Sequence, residues 1–237
     1  MRRVISCCSV VILLAFAGST AFAGTYDYTK EDLSGYSLEP NLKVSDEPDF
    51  SRNGRAVYFD INYLYTIRLL SSTPQSIVSG SSTLTYVPKN VFPSNFHGFL
   101  VGVGKEWSRR IDLQLAFLQS FRESKTSVSN KINYTVSTKR NGLLADIAFV
   151  CNPDDQFQVL LKGGALLEET YDNITASNAT YYPVRDDTRI DPALGLEFLF
   201  QFSKHFGLRL NTVYVADAQS SNSHGEINAY GGLSYAL

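Results

Sequence analysis

One pattern recurs eight times along this chain: apolar residues alternate with small or polar ones over ten or more positions. The first run is VYFDINYLYTIRLL, from Val57 to Leu70. A period of two predicts β-strands, and these runs exceed the usual globular strand of about 5–6 residues. No helical period separates them, which disfavours a parallel α/β fold. The later runs are FHGFLVGVGKEW, IDLQLAFLQSF, NGLLADIAFV, FQVLLKGGALLEE, PALGLEFLFQF, FGLRLNTVYV and GEINAYGGLSYAL.

The two faces of each run differ in chemistry. In the third run, for example, Leu115 belongs to the apolar face and Gln114 to the other. The second faces are rich in Gly, Ala, Ser and Gln and carry few charges, and charged residues make up only 19% of the chain, below the roughly 25% that is typical of soluble domains. A wall with lipid outside and a crowded interior fits this better than a secreted lipocalin, the rival eight-stranded barrel, whose outer face is well charged.

The connections between runs alternate in length. Those after runs two, four and six are tight (SRR, NPDD and SKH), whereas those after runs one, three, five and seven are longer and polar. This rhythm is typical of outer-membrane barrels, whose short turns face the periplasm. The sequence therefore predicts an all-β protein, an eight-stranded antiparallel transmembrane up-and-down β-barrel with four longer extracellular loops.

The last run continues to Leu237 without a polar tail. Because an open sheet edge cannot be left in lipid, we expect this strand to pair with the first. The ending GGLSYAL, with Tyr235 and Leu237 facing outward, resembles the C-terminal assembly signal of bacterial outer-membrane barrels, although Phe is the usual last residue there. Residues 55–237 resemble the small opacity-type, OmpA/OmpX/OmpW-like barrels. This resemblance implies a Gram-negative outer membrane, contact with its lipids and with the barrel-assembly machinery, and no cofactor.

Two segments precede the barrel. Residues 1–23 carry Arg2 and Arg3, an apolar run and an Ala-x-Ala site ending at Ala23, which predicts a cleaved signal peptide. Its removal would leave 19 basic against 23 acidic residues, a net charge of −4, with Cys151 as the single cysteine; neither nucleic-acid binding nor an intramolecular disulfide is expected. The acidic residues 24–54 lack alternation and form either a periplasmic segment or a lumen plug.

Charged residues recur on the inward faces of the runs. Eight strands enclose only enough space for side chains, and buried charges are costly unless paired, so we expect an internal salt-bridge network and not a conduction path. Its predicted members are Asp60, Arg68, Glu106, Asp112, Asp146, Lys162, Glu168, Glu197 and Arg209.

Catalytic and metal sites are not expected. Ser223, His224 and Glu226 invite a hydrolase interpretation, but adjacent residues of an extended chain point to opposite sides. The other two histidines, His97 and His205, are scattered, so they suggest no metal cluster.

Specific function is then expected in the long loops. The third loop holds tyrosines and arginines, residue types favoured at binding hot spots; they are Tyr181, Tyr182, Arg185 and Arg189. The prediction is a non-enzymatic envelope component whose loops serve adhesion or partner binding, with a host or phage surface ligand as partner. An OmpW-like conduit for small apolar molecules is the alternative, and a lipid-modifying outer-membrane enzyme a remote one.

Overall fold

The computed structural model describes residues 52, 56–79, 82–129, 132–177, 185–217 and 222–237. The predicted signal peptide and, except for Arg52, residues 24–54 lie outside these ranges. The described part contains eleven strands and one short helix. They are β1 Val57–Leu70, β2 Gln75–Ser79, β3 Ser82–Tyr86, α1 Pro88–Val91, β4 Asn95–Ser108, β5 Ile111–Ser120, β6 Glu123–Ser129, β7 Ile132–Val150, β8 Phe157–Ala176, β9 Arg185–Gln201, β10 Phe206–Val215 and β11 Ser223–Ala236.

Eight of these strands form a closed antiparallel barrel in the order β1, β4, β5, β7, β8, β9, β10 and β11, with β11 returning to β1. At this seam Tyr58 lies opposite Ala236, and the register continues to Ile67 opposite Ile227. The Leu237 N–H donates to the Val57 carbonyl at 2.8 Å. Both the eight-stranded barrel and the pairing of first and last strands, as predicted from the sequence, are confirmed.

The alternation of side chains sorts the wall into two faces. On β1, Ile61 is 68% exposed whereas Leu64 is fully buried, because odd positions point outward and even positions into the lumen. The same parity places Leu115 outside and Gln114 inside on β5. The outside is apolar around the ring; its most exposed members include Phe59, Tyr63, Val101, Phe117, Ile147, Leu161, Leu194, Leu210 and Leu233.

Aromatic side chains line the outside of the barrel at its short-turn end. Phe157 stacks on Phe198 with centroids 5.7 Å apart, and Phe206 lies 5.0 Å from Tyr235. A girdle of this kind is typical of a transmembrane barrel where its apolar band meets the headgroups. No helix among the described residues is long and apolar enough to cross a membrane.

At the other end the strands run farther than the sequence analysis predicted. β7 and β8 have 19 and 20 residues, and the predicted second loop is a hairpin of β6 with the start of β7. The outward face here carries Asn, Thr and Ser, and the apolar side chains Tyr134, Val136 and Ile174 point inward; the pattern is the reverse of that in the wall and was missed. The first long connection likewise contains the β2–β3 hairpin and α1.

The first long connection packs onto the inner side of this extension. Its Tyr86, Val91 and Phe92 form a buried apolar cluster with Tyr134 and Val136 of β7 and with Ile174 of β8. The Lys125 ammonium of β6 donates to the Lys89 carbonyl of α1 at 2.9 Å. The barrel is therefore covered by its own chain at the loop end.

Candidate functional site

The lumen near the short-turn end is filled by a charge cluster centred on Glu197. This carboxylate binds the Arg209 guanidinium and, at 3.3 Å, the Lys162 ammonium. Lys162 also lies 3.2 Å from Asp146 and donates to Gln114 at 2.5 Å. Lys162 is thus shared among several acceptors, which compensates for its removal from water.

Arg52 lies inside the barrel near the short-turn end. Its side chain is 1% exposed, and its Nε lies 2.9 Å from Glu106; a second nitrogen binds Asp112. Tyr58 also donates to Asp112, at 3.3 Å. Burial lowers the pKa of Arg52, but the attraction of Asp112 and Glu106 outweighs it, so the pKa is raised overall and the group stays charged.

A second cluster fills the lumen toward the loop end. Arg140, which is fully buried, binds Glu168 at 2.5 Å and also Glu226. Arg189 extends the cluster, reaching Glu168 at 3.4 Å and Asp217 at 2.6 Å. The Phe96 ring lies 5.2 Å below the Arg140 guanidinium. Two arginines and the carboxylates that they bind therefore occupy the lumen at the loop end.

An apolar layer separates the two charge clusters, and no ion pair within the described chain crosses it. Its members are Leu64, Leu100, Ala116, Leu118, Leu144, Leu166, Ala193, Val213, Val215 and Tyr230. A cavity of about 10 Å³ lies beside this layer and the lower cluster, which is enough for about one water molecule. The described lumen holds packed side chains in place of a continuous polar path.

The structure places all nine charges proposed from the sequence on the inward face. Asp60, the least buried, accepts from the Asn62 amide at 2.5 Å, and Gly102 leaves room for it, because a Cβ there would lie 2.7 Å from its oxygens. Arg68 is buried yet makes no ion pair with the part of the chain that the structure describes. The other seven contribute to the ion pairs given above.

Five charged members of the clusters were not predicted as lumen residues: Arg52, Arg140, Arg189, Asp217 and Glu226. For Arg140 a signal existed, since it has the same parity as Leu144 and Asp146 on the continuous strand β7. Glu226 shares the parity of Asn228 and Tyr230 on β11. Arg52 precedes the first alternating run, so its lumen position follows only from the tertiary structure.

Of the four residues proposed for loop binding, the structure describes Arg185 and Arg189. Tyr181 and Tyr182 lie outside the described residues, and Arg185 is the first residue of β9. Arg189 was wrongly placed in a loop: it is a β9 residue, 5% exposed, engaged with carboxylates inside the barrel. The sequence analysis took this strand to begin at Pro192, but β9 begins seven residues earlier, at Arg185.

Hydrolase geometry is absent at Ser223, His224 and Glu226. Ser223 is buried and its hydroxyl donates to the Gly225 carbonyl, His224 is exposed on the opposite side, and Glu226 binds Arg140. Across the described ranges no group of three His, Cys, Asp or Glu residues could hold a metal ion. Cys151 is a free, exposed thiol.

Known structures share this architecture. The outer-membrane protein OprG from Pseudomonas aeruginosa matches with a TM-score of 0.52 at 8% identity, covering 80% of this chain and 99% of that one. This chain is a small eight-stranded outer-membrane β-barrel. Its apolar outer face and aromatic girdle place the wall in lipid, and its location is the outer membrane.

Two further neighbours have lower scores. Ail, the attachment invasion locus protein of Yersinia pestis, matches with a TM-score of 0.48 at 12% identity over 77% of this chain and 99% of that one. Neisserial surface protein A matches with a TM-score of 0.38 at 8% identity, over 77% and 97%. No family model and no curated protein matches the chain.

Proposed function

We propose that this barrel is a non-enzymatic anchor in the outer membrane that displays its loop end for adhesion or partner binding. The observation that carries the proposal is the contrast between its two parts. The lumen is filled by two charge clusters and an apolar layer, whereas the β6–β7 hairpin and the upper parts of β7 and β8 continue beyond the closed ring.

The orientation in the membrane follows from loop length. In outer-membrane barrels the short turns face the periplasm and the longer connections face outward. The tight turns here lie between β4 and β5, β7 and β8, and β9 and β10. The hairpin of β2 and β3, α1 and the β6–β7 hairpin then face the exterior, where a host cell or a phage is met.

An adherence assay tests the proposal. Bacteria that lack other adhesins would display the full chain, and their attachment to cultured epithelial cells would be counted. One variant replaces residues 75–86 with a Gly-Ser linker of equal length, and another replaces residues 126–135 with an Asn-Gly turn. The matched control alters the opposite end, replacing residues 152–156 with an Asn-Gly turn.

We expect the full chain and the control variant to promote attachment and at least one loop variant to lose it. Protease accessibility and heat-modifiable migration on gels would verify that each variant is folded in the outer membrane. Attachment no greater than that of cells without the protein, or equal attachment by all variants, would contradict the proposal.

A further inference from the structure

β6 is the last strand of the sheet on one side. It pairs with β7 from Glu123 opposite Thr138 to Ser129 opposite Ile132, and no other described strand pairs with it. Within the closed ring every strand has a neighbour on both sides, whereas β6 has a described neighbour on one side only along its whole length. A row of free backbone groups on an edge strand is a template for a further strand.

The direction of the backbone groups on β7 shows which β6 residues present that row. The backbone N–H and C=O groups of Asn133 on β7 point away from β6. The carbonyl accepts from the Ser177 N–H at 2.9 Å, and the N–H donates to the Ser177 hydroxyl at 3.2 Å. Val128 lies opposite Asn133, so the backbone N–H and C=O groups of Val128 point away from β7. By the same alternation, Thr126 and Ser124 direct their N–H and C=O groups to the open edge.

The side chains along this edge are uncharged and turn to the outer face. Ser124, Thr126 and Val128 are all exposed, with Val128 69% exposed, and the Thr126 hydroxyl lies 3.1 Å from that of Thr135. Cross-strand neighbours of such positions are favoured when they are β-branched or hydroxylated. Edge strands are commonly protected by a proline or by charged side chains. The outer face of β6 carries neither.

The inner side of β6 is already occupied. Lys125 turns inward opposite Val136 and donates to the Lys89 and Phe92 carbonyls of the first connection, at 2.9 and 3.3 Å. These bonds hold the strand in its extended conformation before any partner arrives. A preorganised strand gives up less conformational entropy when another chain pairs with it.

We propose that β6 recognises its partner by strand addition, taking up an extended, uncharged, threonine- and valine-rich segment of another protein antiparallel to Ser124–Val128. This inference rests on the proposed function and names how the partner is held. A second copy in the same membrane is a poorer occupant. Its β6 would have the same direction relative to the membrane and could add only as a parallel strand, the less stable pairing.

Amide hydrogen exchange measured by NMR on the full barrel in phospholipid nanodiscs tests the proposal. The probe is a synthetic peptide of alternating threonine and valine with lysines at its ends. Before addition, the Thr126 amide should exchange faster than the Ser127 amide, which is bonded to β7. With the peptide present, the amides of Ser124, Thr126 and Val128 should slow by about tenfold, as expected for one new hydrogen bond each.

Matched variants separate backbone from side-chain recognition. Thr126→Pro removes an edge N–H without touching the β6–β7 ladder, a position where strands tolerate proline, and should weaken peptide binding about tenfold or more. Thr126→Ala keeps the N–H and should bind within a few-fold of the native chain. The same peptide N-methylated at alternate residues should fail on the native barrel, a result that does not depend on the folding of any variant.

Unchanged exchange at all three amides, or equal binding of the N-methylated peptide, would overturn strand addition. The adherence assay separates this failure from that of the proposed function. Thr126→Pro cells that attach like native cells while a loop-replacement variant does not would refute the edge alone. Native cells that do not attach would refute the proposed function, whereas the exchange result would still decide about the edge.

Discussion

At the scale of single residues, side-chain parity decides whether a position contacts lipid or the filled lumen. Ile61 and Leu64 lie three positions apart on β1, one largely exposed on the outside and the other fully buried. The cost of a polar substitution therefore depends on parity first and on depth in the membrane second. Charges facing lipid are costly near the bilayer midplane and much less so near its surfaces.

Depth can be tested on one face of one strand. Ile61 is the fifth of the 14 residues of β1, within the apolar outer band, and Leu69 lies near the loop end; both point outward. Ile61→Arg should destabilise the folded barrel by about 2–4 kcal/mol and Leu69→Arg by about 0–1 kcal/mol. Urea titrations in phospholipid vesicles would measure both. Equal costs, or the reverse order, would mean that the band of lipid contact is placed wrongly.

A buried cation can be tested in the same way. Arg140→Met leaves Glu168 and Glu226 without their shared guanidinium and should cost about 3–5 kcal/mol, since one partner of a buried ion pair is removed. Adding Glu226→Gln removes one of the stranded charges, so the double variant should recover part of the loss. A double variant less stable than Arg140→Met alone would show that Glu226 is not paired as described.

At the scale of elements, the seam between β1 and β11 closes the barrel and depends on close backbone approach. A Cβ at Gly232 of β11 would lie 1.9 Å from the Ile61 carbonyl oxygen of β1. Gly163 on β8 is different, because a Cβ there would have its nearest neighbour at 3.7 Å, an ordinary contact. The two glycines therefore separate a requirement for space from a general effect of removing glycine.

Gly232→Ala should reduce folding into vesicles, with a loss of stability of about 1–3 kcal/mol from overpacking. Gly163→Ala should fold like the native chain or slightly better, because alanine has less unfolded-state entropy than glycine. The fraction of heat-modifiable folded band on unboiled gels gives the measurement. Normal folding of Gly232→Ala would show that β1 and β11 can separate at this point.

At the scale of the whole molecule, the lumen of the barrel is filled by side chains, and the first long connection packs at its loop end. Ion-pair clusters occupy both halves of its lumen, an apolar layer separates them, and the first long connection packs over the loop end. An eight-stranded barrel has room for little else. This arrangement supports an anchor more than the alternative of a conduit through the lumen.

Purified protein in planar bilayers should accordingly show little or no steady ion conductance. Removing the buried arginine at the short-turn end by Arg52→Ala should not open a path, because the apolar layer remains; the protein would lose stability instead. Large, reproducible channels formed by the native chain would contradict the filled lumen. Selective flux of a small apolar solute without ion conductance would favour the conduit.

The sequence by itself determined the eight strands of the ring, their two faces and the closure of the ring, since each follows from period-two alternation and from the length of the connections. It also identified nine inward charges by parity alone. Only the tertiary structure decided which of them pair, because Arg140 meets Glu226 across 86 positions of chain and Arg52 enters from outside the alternating runs. The extension beyond the membrane was missed as well. Contact with lipid makes the outward face of the wall apolar, whereas beyond the lipid the outward face at the start of β7 is polar and its apolar residues, Tyr134 and Val136, point inward.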